Sequence, residues 1–236
     1  MLDTVDSTMA EAARRAASGL DGPTWIMAHE QTAGRGRRGR DWTSERGNLA
    51  ATLVYRPEAT PAEAARRSFL AAVALFETLA IHVDRTRLSL KWPNDVLMDG
   101  GKVAGILLES AGQGPYVDWL SIGIGVNLAV RPKGVRDAAF PPVAVADNGG
   151  PLIDPEDFLT HLADAFATEE GKLDAFGFAR IREDWLRHAA RLGEVITART
   201  GAEEVTGVFE TVDDAGNLML RTPKGPRAIS AADVFF

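Results

Sequence analysis

The chain has 236 residues, no cysteine, and 33 acidic against 26 basic side chains, giving a net charge of −7. That length holds one large core, or one core with a small appended module. The missing thiols exclude disulfides, thiolate ligands and thioester catalysis and suit a reducing cytoplasm, while the acidic balance offers a polyanion no general basic field.

In chain order, the amino terminus, Met1-Leu2-Asp3-Thr4-Val5-Asp6, has no apolar core segment, so no signal peptide is expected. Asp6-Ser7-Thr8 before the alanine-rich residues 9–18 predicts an N-capped helix ended by Gly19. Apolar runs at 24–28 and 49–55 have the length and residue types of strands. Residues 61–83 carry apolar side chains at helical spacing (Phe69, Val73, Phe76, Leu79, Ala80) and predict a core helix. The longest apolar stretch, residues 69–83, is broken by Glu77 and His82 and falls short of a bilayer span, so no membrane association is expected. Residues 88–92 predict a strand, and Asp99-Gly100-Gly101 joins strands at 95–98 and 102–108 in a hairpin. A strand follows at 120–128, then a long irregular loop over 129–151, rich in proline, glycine and small residues. Asp154-Pro155 opens a helix to about 172, and a second helix covers about 178–191. From Gly193 onward short strands with polar turns predict a small all-β module after a mixed α/β domain. The four histidines, at 29, 82, 161 and 188, are too scattered for a His-based metal cluster.

Between the first two predicted strands lies Gly34-Arg35-Gly36-Arg37-Arg38-Gly39-Arg40, followed by Trp42. Glycine permits positive φ and close approach to a ligand, and arginine forks match carboxylate and phosphate oxygens. Alone, the run equally describes a nucleic-acid patch or a disordered arginine–glycine tail. Its place between two strands reads as a pocket lid for a small anion. Mutual repulsion of the guanidinium groups predicts a loop that is mobile until that anion arrives.

Three further places concentrate chemistry. Lys91-Trp92-Pro93-Asn94-Asp95 brings an ammonium, an amide and a carboxylate to one turn, though a buried tryptophan with an ordinary turn fits as well. Lys102 returns from the hairpin into an apolar strand, where a solvated strand-end lysine is the ordinary outcome. Gly123-Ile124-Gly125-Val126-Asn127 is a glycine-bearing strand with a polar end, also readable as a strand edge starting a turn. None of the three is decisive alone.

Together, Ser7-Thr8, Gln31 before the arginine loop, Lys-Trp-Pro-Asn-Asp at 91–95, Gly-Lys-Val-Ala-Gly-Ile-Leu at 101–107 and Gly-Val-Asn at 125–127 closely resemble the biotin protein ligases. The resemblance covers about residues 3–130 by motif and, more loosely, the β tail. It implies an α/β (α+β) catalytic domain over 1–189, a mixed sheet with helices related to the class II aminoacyl-tRNA synthetases. It also implies a carboxy-terminal SH3-like barrel over 190–236. With the Ser-Thr motif at residue 7, the resemblance is to the ligase-only form that lacks a winged-helix DNA-binding domain. A lipoate ligase would share the fold and chemistry but is expected to show Arg-Arg-x-Ser-Gly-Gly-Gly, which is absent. A non-catalytic nucleotide or nucleic-acid binder, or a degenerate partner protein, remain rivals.

The resemblance implies ATP and Mg²⁺ as cofactors, biotin as substrate, and a biotin carboxyl carrier domain as partner, with no nucleic acid. It implies a cytoplasmic enzyme, monomeric or weakly homodimeric. Lys102 is expected to bridge the biotin carboxylate and the α-phosphate, with Arg37 as the second catalytic cation. Biotin would meet Ser7, Thr8, Gln31, Gly34, Arg35, Gly36, Arg37, Lys102 and Gly105. ATP would meet Arg37, Arg40, Trp42, Lys91, Asn94, Asp95, Lys102 and Asn127. No metal ligand is assigned. The family usually has asparagine after Ser-Thr, where this chain has Met9.

Overall fold

In the computed structural model, which describes residues 1–20, 22–132 and 140–236, a seven-stranded mixed sheet organises the larger part of the chain. Its first strand, β1 (Leu2–Val5), has no counterpart in the sequence-based expectation. Helix α1 (Thr8–Ser18) crosses from it to β2 (Thr24–Gln31), which β1 joins in the one parallel pairing of this sheet. All other neighbours are antiparallel: β3 (Leu49–Tyr55), β4 (Leu88–Lys91), β5 (Asp95–Met98), β6 (Gly101–Ala111) and β7 (Trp119–Val126). The order across the sheet is β1-β2-β3-β7-β6-β5-β4.

Helix α2 (Pro61–Leu79) starts at a complete capping box, Thr60 with Glu63, with Pro61 preset for the first turn. It ends at Leu79, short of the expected residue 83, because 80–83 close the helix in turns that still bury Val83. Helices α3 (Pro155–Phe176) and α4 (Phe178–Arg187) pack with α2 over one face of the sheet. Alternation along the strands serves both faces. Met27, Leu53 and Tyr55 join the main core, whereas Ile26 and Val54 meet Ala12 and Ala16 of α1. β3 is buried throughout and so reads as a continuous apolar run.

A second, five-stranded antiparallel sheet closes the chain: β8 (Val195–Arg199), β9 (Glu204–Val212), β10 (Leu218–Thr222), β11 (Gly225–Ile229) and β12 (Asp233–Phe235), ordered β11-β10-β9-β8-β12. Phe209, Val212, Leu218 and Leu220 fill its interior and are continuous with the main core through Trp185, whose ring lies 6.5 Å from that of Phe209. Trp92 Nε1 donates to the carbonyl of Gly216 at 3.1 Å, tying the β4–β5 turn to this sheet. Part of the expected 129–151 loop, residues 133–139, lies outside the described residues.

Candidate active site

A cavity of about 550 Å³ opens on the sheet face that α1 covers only in part. Its floor follows from strand register. Directly opposed residues of paired strands share a face, and Ala50, Gly125, Gly105, Asp95 and Lys91 are opposed in succession across β3, β7, β6, β5 and β4. The first three present almost no side chain, so a trough runs toward a carboxylate and an ammonium. Trp42 lies flat over the glycines. A Cβ on Gly125 would stand 2.4 Å from its indole, and one on Gly105 would stand 3.2 Å away. Indole and cavity wall can meet only because both positions lack a side chain.

At one end of the trough the groups are polar and uncharged. Thr52 donates to Thr8 Oγ1 at 2.8 Å, and Thr8 donates from its backbone N (2.8 Å) and its hydroxyl (3.1 Å) to Gln31 Oε1. Gln31 Nε2 donates to Ser44 Oγ at 2.8 Å. Ser7 precedes α1 but does not cap it through its side chain, contrary to the sequence expectation. Its hydroxyl is buried without a partner among the described residues, as a group reserved for a ligand would be. Met9 is buried beside this cluster, its Sδ over Gly123.

The other end is charged. Asp95 forms an ion pair with Lys102 Nζ at 2.6 Å through Oδ1 and accepts from Lys91 Nζ at 3.2 Å through Oδ2. Burial raises the Asp95 pKa, but Lys102 and then Lys91 outweigh it and hold the carboxyl below its ordinary range. Burial lowers the Lys91 pKa, opposed by Asp95. Lys91 Nζ also lies 4.8 Å from the centre of the Phe140 ring, and Lys102 Nζ 5.6 Å from that of Trp42. Asn94 Nδ2 donates to the Ile106 carbonyl at 2.5 Å, and Asn127 Nδ2 to that of Val143 at 3.0 Å, so both amides are fixed beside the cations.

The arginine loop forms the lid. Each guanidinium group has a partner within the chain, which offsets the repulsion the sequence suggests. Arg37 donates inward to Asn94 Oδ1 at 3.1 Å, and Arg35 lies 3.8 Å from Glu109. Arg38 and Arg40 both donate to Asp233 of β12. Burial lowers the Arg37 pKa, yet a guanidinium group stays charged at any working pH.

All the residues expected at the site border this one cavity except Gly34. A Cβ on Gly34 would stand 2.3 Å from the Trp42 carbonyl oxygen, so its glycine serves the loop's own backbone rather than a ligand. Sequence reasoning missed Thr52, which only strand alternation could have suggested. It also missed the wall supplied by Arg199, Val234 and Phe235, for which no local signal exists. Among the described residues no group of three or more His, Asp or Glu side chains could hold a metal ion.

The chain is matched by two family models. The one described as "Biotin/lipoate A/B protein ligase family" covers residues 2–127, and the one described as "Biotin protein ligase C terminal domain" covers 192–236. The chain belongs to the biotin/lipoate A/B protein ligase family. It is 54% identical over 239 residues to a biotin--[acetyl-CoA-carboxylase] ligase of Paracoccus denitrificans, covering 100% of this chain and 99% of that one. It is 32% identical to the ligase of the same name from Mycobacterium tuberculosis, covering 97% and 85%. In fold it matches the biotin protein ligase of Aquifex aeolicus solved in complex with biotin and ATP, with a TM-score of 0.83 at 24% identity over 99% and 96% of the two chains.

Proposed function

We propose that the cavity holds biotin and ATP side by side, joins them as biotinyl-5′-adenylate, and passes the biotinyl group to a lysine of a carrier domain. The protein is an ATP-dependent biotin protein ligase, the activity its full-length relatives carry by name. The observation that supports the site assignment is the polarity of the trough, neutral hydrogen-bonding groups at one end and Lys102, Lys91 and Arg37 at the other.

In this reading Ser7, Thr8 and Gln31 hold the ureido ring, since a neutral ring rich in donors and acceptors needs fixed partners in an otherwise apolar pocket. The valeryl chain runs alongside Trp42, whose indole occupies the space over Gly125 and Gly105. Its carboxylate reaches Lys102, where an oxygen attacks the α-phosphorus of ATP and the bond to pyrophosphate breaks. Fixed cations facing the developing phosphoryl charge are a large catalytic term, and Lys102, Lys91, Arg37 and Arg40 supply them. Asn94, Asp95 and Asn127 face the nucleotide phosphates and ribose. Both Asp95 oxygens are taken by Lys102 and Lys91, so magnesium carried on ATP would be held chiefly by the substrate phosphates, as this ion ordinarily is. It would neutralise phosphate charge.

In the second step the carrier lysine's uncharged amine attacks the acyl carbon, the mixed anhydride's C–O bond breaks, and AMP leaves. The closed loop and Trp42 keep water from the anhydride until then.

The direct test mixes the protein with ATP, Mg²⁺ and either biotin or lipoate and follows pyrophosphate release. Release with biotin alone is expected. Release that depends on lipoate, or on neither acid, would reject this assignment.

A further inference from the structure

We infer that Asp233 is a positioning residue for this ligase reaction: its carboxylate latches the arginine loop shut from the carboxy-terminal sheet. The inference rests on the ligase reading above and extends it to a residue outside the family motifs. Oδ2 of Asp233 accepts from Arg38 Nη1 at 2.9 Å and from Arg40 Nη2 at 2.6 Å.

Three observations give these contacts a function beyond surface pairing. Arg38 has a left-handed backbone, φ 56° and ψ 31°, which a non-glycine residue keeps only where its surroundings hold it. Arg38 does not itself border the cavity, so its bond to Asp233 fixes the loop rather than touching a ligand. The latch also stands on a rigid mount. β12 pairs with β8, and the small sheet is anchored to the larger domain by the Trp92–Gly216 hydrogen bond and the Arg182–Asp214 ion pair. With Arg38 and Arg40 tied to Asp233, Arg37 is left facing Asn94 inside the cavity. Lifting the loop therefore requires both bonds to Asp233 to break, and that step controls escape of the adenylate.

The test loads the full-length protein with purified biotinyl-adenylate and measures its dissociation during a chase with unlabelled adenylate. Pyrophosphate release by the unaltered protein is followed in parallel. Asp233→Asn is expected to speed dissociation about tenfold, the scale of two exposed ion pairs. Asp233→Glu should restore slow release. Arg38→Ala should also speed release, and the double variant Arg38→Ala/Asp233→Asn should be no faster than Asp233→Asn alone. That coupling belongs to a latch and not to general loosening of the fold. Dissociation unchanged in Asp233→Asn, or fully additive effects in the double variant, would overturn the latch while leaving the ligase reading intact. Absence of biotin-dependent pyrophosphate release by the unaltered protein would overturn both.

Discussion

The ammonium group of Lys102 lies 2.6 Å from Oδ1 of Asp95, so the principal cation of the site rests against a carboxylate of its own chain. Lys102 is about one-third exposed and Asp95 nearly buried, which leaves the lysine open to the cavity on its other side. On the proposed assignment an arriving biotin carboxylate would compete for the same ammonium group, and Asp95 would set where Lys102 waits.

Replacing that cation tests the assignment most directly. Lys102→Ala should reduce biotin-dependent pyrophosphate release by roughly 10²–10³, the scale of losing one preorganised charge-stabilising donor. The far-ultraviolet circular dichroism spectrum should be preserved, while the unfolding temperature falls because nearly buried Asp95 keeps only Lys91 as a partner. Adenylate formation at the normal rate would remove Lys102 from the first step.

Asp95→Asn leaves the two ammonium groups facing each other across a neutral amide. Breaking a buried ion pair by removing one partner costs about 3–5 kcal/mol, and urea unfolding at pH 7 should show a loss of that order. The gap has a definite pH dependence. The Asp95 pKa is lowered on folding, because Lys102 and Lys91 outweigh the burial that raises it. Its contribution is therefore complete above the unfolded value of about 3.9. It is lost as pH falls through the lower folded value. The difference between parent and variant should shrink below about pH 4. A gap that stays constant to pH 2 would mean the carboxylate's charge is not its source.

Gly125→Ala places a methyl group 2.4 Å from the Trp42 indole, closer than any real contact. The ring must leave the trough, since the alternative is to move the backbone of β7 at the centre of the sheet. Biotin affinity should fall at least tenfold by calorimetry, with the far-ultraviolet circular dichroism spectrum preserved. Parent-like affinity would show that Trp42 does not cover the ligand.

Arg37 is the guanidinium group that faces inward, toward Asn94. Arg37→Gly removes a bidentate donor for the adenylate phosphate and leaves Lys102 in place. The variant should still make adenylate but release it, so that an unrelated lysine-rich protein in the same tube becomes biotinylated. An unlabelled bystander, with adenylate formation confirmed, would assign retention to other groups.

What was legible in the sequence was local. β3 announces itself as a largely apolar run, α2 by its period, and the β5–β6 turn by Asp99-Gly100. The arginine loop, the Lys91–Asp95 turn and Lys102 could be read from residue type and spacing. β1 could not, because it is a four-residue edge strand whose partner lies beyond a helix. The bond between Thr8 and Thr52 spans 44 positions, and that between Arg38 and Asp233 spans 195. No periodicity encodes such pairs; they arise only when the sheet is assembled. Ser7 illustrates a different failure. Its position satisfied the rule for a helix cap, while its side chain was left free for the cavity.

The row from Ala50 through Gly125 and Gly105 to Asp95 crosses three strand-to-strand intervals. At about 4.8 Å each, the row is a fixed ruler about 14 Å long. Hydrogen-bonded strands neither stretch nor compress that scale, and the two glycines along it offer no side chain that could swing to meet a guest. On the proposed assignment, an acid whose head is seated beside Thr8 carries its carboxylate along this row to come within reach of the Lys102 side chain. Homologues shortened beyond that reach are expected to fall short, and lengthened ones to buckle against Trp42. In this reading the site gauges its substrate by length as well as by ring, and the larger part of that gauge is backbone spacing, which side-chain substitution along the strands does not rescale.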